Sequence, residues 1–115
     1  MEQEVLNRGI ISELRDMGDD FLKEITEKFF EDADADIAAL RKHIEKGEGR
    51  EIGIAAHGLK GTSLTMGAET LAGIAFEIET KGKANNLNAL DEDLQRLERS
   101  YYEVRQALQR ALEGE

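Results

Sequence analysis

The chain has 115 residues, the length of one domain built on a single core, and it lacks cysteine, so disulfide frameworks and thiolate metal sites are excluded. Twenty-five acidic residues against 15 basic ones give a formal charge of −10, which argues against a nucleic-acid backbone or an anionic lipid surface as partner. Proline and tryptophan are absent while Ala, Leu, Glu, Lys and Arg abound, a composition that favours long uninterrupted helices.

The first residues, Met1-Glu2-Gln3-Glu4, are the opposite of a basic signal-peptide start, and no apolar run approaches the ~18 residues of a membrane span. A soluble, cytoplasmic protein is expected. Ile10, Ile11 and Leu14 then predict a short leader helix that ends near Gly18. From about Asp20 to Lys46, Leu22, Ile25, Phe29, Ala33, Ile37, Leu40 and Ile44 recur every three or four residues, and Gly47 stands at the C-terminal cap. The next stretch, Arg50 to Met66, lies between Gly49 and Gly67, with Ile52, Ala55, Ala56, Leu59 and Met66 on its apolar face. A further helix is predicted over Glu69 to Lys81, with Leu71, Ile74, Ala75 and Ile78 inward and Gly82 as its stop. After a polar linker, Lys83-Ala84-Asn85-Asn86, comes the last stretch. There Leu87, Leu90, Leu94, Leu97, Tyr101, Val104, Leu108 and Leu112 approach a heptad seam, and the tail Glu113-Gly114-Glu115 is expected to fray.

Helices with one apolar stripe each, joined by short connections, bury those stripes best side by side. The predicted fold is therefore all-α, an antiparallel up-down four-helix bundle whose end is covered by the short N-terminal leader helix. The whole of 1–115 is read as one domain, and a bundle that closes on itself is expected to be a monomer.

Chemistry concentrates in Ala55-Ala56-His57-Gly58-Leu59-Lys60-Gly61-Thr62-Ser63-Leu64. Spacings of three and four make His57, Lys60 and Gly61 neighbours on one helical face, beside the core stripe. A neutral imidazole is a competent nucleophile towards phosphorus and titrates near physiological pH. Lys60 can hold phosphoryl oxygens as a point charge, and Gly61 leaves the ring accessible. Glycine inside a helix costs about 1 kcal/mol relative to alanine, so Gly53, Gly58 and Gly61 together suggest a need for close approach. His43 reads as a structural or merely exposed histidine. The acidic run Glu31-Asp32-Ala33-Asp34-Ala35-Asp36 lacks the central glycine and terminal glutamate of a calcium loop and reads as a solvated helical face. No Walker-type loop, nucleotide fingerprint or metal cluster is present in the sequence. No metal site and no cofactor are expected, and a phosphoryl group on His57 must then come from another protein.

The same stretch resembles the signature of the histidine-containing phosphotransfer (HPt) domain of two-component phosphorelays. The pattern His-x-Leu-Lys-Gly-x-Ser-x-x-x-Gly-Ala is matched without gaps at His57, Leu59, Lys60, Gly61, Ser63, Gly67 and Ala68. The resemblance implies a phosphorelay intermediate without autonomous kinase activity. His57 would take a phosphoryl group from the aspartyl phosphate of one receiver domain and pass it to the aspartate of another. Response-regulator receivers, and a hybrid sensor histidine kinase, are the partners implied, and the receiver would supply Mg²⁺. The resemblance also places Glu79, on the following helix, where it can accept a hydrogen bond from the second ring nitrogen of His57. Thr62 and Ser63 read as backbone-capping or packing groups. Gly58, Gly61 and Leu64, with the leader residues Ile10, Ile11 and Leu14, are the expected docking patch. Two alternatives keep the fold: the phosphorylated domain of a chemotaxis-type kinase, charged by a separate ATP-binding domain, and a non-catalytic helical adaptor. Retention of both His57 and Lys60 weighs against the adaptor.

Overall fold

The computed structural model describes residues 5–114, so the acidic start at 1–4 and Glu115 of the tail lie outside the described residues. Five helices follow in order: α1 (Arg8–Asp16), α2 (Asp19–Lys46), α3 (Gly49–Thr65), α4 (Glu69–Lys83) and α5 (Leu90–Leu112). Consecutive helices from α2 to α5 pack against each other, and α5 returns to α2, which closes a four-membered antiparallel bundle. The expected fold is observed, and the stripes read from the sequence supply its centre. Ala33 and Leu40 of α2, Ile52, Ala56 and Leu59 of α3, Leu71, Ala75 and Ile78 of α4, and Leu97 and Leu108 of α5 are all fully buried. Each large aliphatic side chain so buried contributes roughly 1.5–3 kcal/mol of transfer free energy. The inward Tyr101 ring stacks edge-on against Phe29 at 6.1 Å.

The leader α1 is fixed at both ends. Asn7 caps it by accepting from the Ile10 backbone N–H at 3.2 Å. Its own N–H donates to the carbonyl of Gly67 at 2.8 Å. Gly67 has φ +75°, and a Cβ there would stand 3.1 Å from the Asn7 Cβ, so the turn between α3 and α4 needs glycine for its backbone and for the approach of the leader. At the other end, Arg15 donates to the Ala111 carbonyl at 3.0 Å.

Two expected boundaries move. Gly82 is not the stop of α4; the helix continues to Lys83, and Gly82 is buried at the crossing with α3. A Cβ on Gly82 would lie 2.8 Å from both the Gly49 carbonyl oxygen and the Gly53 nitrogen, so this glycine exists to let two backbones meet. The last helix begins at Leu90, after Ala89 in a left-handed conformation, φ +59°, so Leu87 lies in the connection and not on the seam. The acidic run on α2 is also less idle than a solvated face. Asp34 accepts from the Tyr101 hydroxyl at 2.7 Å, and burial pushes the Asp36 carboxyl up from its ordinary value.

In a Gly82→Ala substitution the two closest contacts of the new Cβ, both 2.8 Å, are backbone atoms that cannot swing aside. It should destabilise the bundle by about 2 kcal/mol, the usual scale for overpacking, and should lower the urea midpoint without changing the slope of the transition.

Candidate functional site

His57 sits near the middle of α3 with its side chain 65% exposed. It escapes the core because Ala55, Ala56 and Leu59 take the inward positions on either side of it. Its Nδ1 lies 2.9 Å from Oε2 of Glu79, reaching across from α4. Glu79 is the reverse case, a carboxylate only 4% exposed, and it collects three cation-capable groups. Lys83, one turn further along α4, donates to the same Oε2 at 2.6 Å. Lys60 Nζ stands 3.0 Å from Oε1 as an ion pair, at an angle that does not make a well-aligned hydrogen bond.

These neighbours decide the ionisation of Glu79. The Lys83 ammonium acts first; burial opposes it by favouring the neutral acid; Lys60 and His57 then add to the lowering. The balance brings the carboxyl from its ordinary 4.5 to about 2. An ionised carboxylate can only accept hydrogen bonds, so the proton shared with His57 belongs to Nδ1. In the neutral ring Nε2 then carries the free lone pair, on the edge turned away from Glu79.

The other sequence-derived residues fall into two groups. Gly61 is exposed, and a Cβ added there would meet nothing within 4 Å, so the space beside the ring is open. Leu64, two turns beyond His57, is 49% exposed on the same side of α3. Gly58 is exposed, but a Cβ there would stand 3.2 Å from Asp36 Oδ2. Gly53 answers to packing against α4, where its Cβ would meet the Lys83 side chain at 3.2 Å. In the leader, Ile11 is turned into the core and is 7% exposed, which removes it as a docking contact; Ile10 and Leu14 are half-buried. Thr62 donates back to the Leu59 carbonyl at 3.2 Å, and Ser63 is wholly buried. His43 is held by Glu48 at 2.8 Å beside the end of α2, a structural contact.

Sequence reasoning missed Lys83 and Phe76. The sequence puts Lys83 in the linker after Gly82, although its spacing of four from Glu79 is the ion-pair spacing of a continuing helix. Phe76 is an exposed ring on α4 over which the Lys60 ammonium sits at 5.0 Å from the centroid. Lys60 is therefore not a free cation, because Glu79 and Phe76 fix where its charge lies.

Gly61 separates stability from function through two substitutions. Gly61→Ala removes a helix-interior glycine and should raise stability by up to ~1 kcal/mol in urea denaturation, while Gly61→Arg should raise the KM for a phosphorylated partner by crowding the ring.

The Hpt domain profile matches residues 24–113, from early in α2 to just past the end of α5. Among solved structures, the chain is similar to the crystal structure of histidine-containing phosphotransfer protein B (HptB) from Pseudomonas aeruginosa PAO1. The TM-score is 0.90 at 22% identity, covering 99% of each chain, which fixes the likeness of fold. No curated protein sequence matches the chain. With more than half of its length matched by the profile, the chain belongs to the Hpt domain family, the histidine phosphotransfer intermediates of two-component phosphorelays.

Proposed function

We propose that His57 is the phosphoryl-carrying residue, that it is charged by the aspartyl phosphate of a receiver domain, and that it discharges to the aspartate of a second receiver. The observation that carries this reading is the His57–Glu79 pair: a highly exposed imidazole whose Nδ1 is held at 2.9 Å by a buried, ionised carboxylate. In the forward step the Nε2 lone pair attacks phosphorus, the bond from phosphorus to the aspartyl oxygen breaks, and the receiver carboxylate leaves with the electron pair. The ring keeps its proton on Nδ1 and becomes cationic, with Glu79 as its counter-charge. Transfer to the second receiver runs the same exchange in reverse and returns the pair to Nε2. Lys60, ion-paired with Glu79, has N–H donors left for the phosphoryl oxygens.

The chemistry assigns this chain a nucleophile and a docking surface, and leaves the metal and the acidic pocket to the partner. No helix among the described residues is long and apolar enough to cross a membrane. A monomer acting in the cytoplasm is the reading that goes with these features. Incubation with a panel of phosphorylated receivers and Mg²⁺ tests the proposal, scoring acid-labile, base-stable label on this chain. Label from a receiver supports it. Label appearing only with a kinase domain and ATP would replace it by the chemotaxis-type alternative, and no label under either condition by the adaptor.

A further inference from the structure

The crossing of α3 and α4 leaves an open groove of about 750 Å³ next to His57, on the side away from Gly61 and Leu64. Gly53 and Gly82 lie at that crossing, where the two backbones meet. Arg50, Ile54, Lys83 and Asn85 line the groove around them, with His57 at one end. Three features bear on what it could hold. Its lining contains two cations and no acid, on a chain of net charge −10. Arg50 makes no hydrogen bond or ion pair with any described residue, so its guanidinium is uncommitted. Ile54, one turn before His57, is 61% exposed and gives the groove an apolar wall.

We infer that the docking footprint runs from His57 into this groove, and that its occupant is a segment of the receiver that presents a carboxylate to Arg50 and an apolar side chain to Ile54. The inference rests on the phosphorelay reading above and names the part of the partner that the site grips. A guanidinium matches a carboxylate with two parallel hydrogen bonds, and here no existing ion pair has to be broken to form them. Arg50 precedes His57 by seven residues, about 10 Å along the helix axis. That separation, about two turns of helix, lets the arginine address a second point on the partner beside the reacting phosphoryl group. Two points of contact fix an orientation where one does not. On an acidic molecule approaching an acidic partner pocket, a local basic rim also decides which face meets it.

The test compares the wild type with Arg50→Glu, Arg50→Lys and, as a charge-matched control on a different helix, Arg99→Glu, in phosphotransfer kinetics and in direct titration with the receiver. A glutamate in the first turn of α3 suits the helix dipole, so Arg50→Glu should fold, and its thermal melt verifies that. Arg50→Glu should raise KM and Kd about tenfold, with the loss shrinking as salt is added, and the effect should fall on KM rather than kcat. Arg50→Lys should recover most of the loss, and Arg99→Glu should behave as wild type. Arg50→Glu within twofold of the wild type, or an equal loss in Arg99→Glu, would overturn the groove assignment and leave the phosphorelay reading standing. A wild type that neither binds nor takes label from any receiver overturns both.

Discussion

A His57→Gln variant should take no label from any phosphorylated receiver, a loss of more than ~10³-fold in transfer, because no second nucleophile stands in the site. The other histidine is not an equivalent: Lys46 and Gly47 follow His43 at the same spacing, but its side chain is only 21% exposed and held by Glu48 at 2.8 Å, and Gly47 caps the end of α2. Folding should be almost untouched. The ring is 65% exposed, and without it Glu79 still has both lysines, so the change in unfolding free energy should stay within about 1 kcal/mol. The pair of assays separates chemistry from structure: label on the variant would remove His57 from its role, and a collapse of stability would mean that the ring supports the bundle rather than the reaction.

The second large effect is expected at Glu79. Glu79→Gln keeps the shape and can still accept from Nδ1, but it removes the charge that stabilises a cationic ring and neutralises Lys60 and Lys83. Transfer should slow roughly 10- to 100-fold, the scale on which orienting partners of functional histidines act. Stability at neutral pH should fall by about 2 kcal/mol, because two ammonium groups lose the buried carboxylate between them, and the exposure of Lys83 lets it swing into water and limits the loss. The pH dependence follows from the lowered pKa. The folded protein holds Glu79 ionised down to about 2, whereas the unfolded chain protonates it near the ordinary 4.5. Between those values the unfolded state binds more protons, so this contribution is complete above 4.5 and is lost as the pH falls through about 2. Urea denaturation from pH 7 to 2 should therefore show wild type and Glu79→Gln converging at the acid end. Parallel curves would mean that the Glu79 charge contributes nothing to the fold.

Much of this was legible in the sequence because helices with one apolar stripe advertise their buried face. Leu40, Ile52, Leu71 and Leu97 could be assigned to the core from spacing alone, and all are buried. What spacing does not carry is the distance between two backbones. Gly82 has the propensity of a helix stop, and only the contact with Gly49 and Gly53 shows that it is a crossing point inside α4. That one misreading also put Lys83 in a linker and hid its ion pair with Glu79. Ile11 reads as part of a surface patch because a short leader helix has too few turns to define which face is buried. Arg50 gave no signal, since an uncommitted arginine differs from a paired one only in three dimensions. His57, Lys60 and Gly61 were legible because their relation is local, within a single turn of one helix.

The most direct measurement of the central claim is the position of the phosphoryl group on the ring. With ¹⁵N-histidine-labelled protein charged by a phosphorylated receiver, ring nitrogen shifts and coupling to phosphorus distinguish the two isomers. The expected result is phosphorylation of His57 at Nε2, with Nδ1 still protonated and hydrogen-bonded to Glu79. Phosphorylation at Nδ1, or label on any residue other than His57, would contradict it.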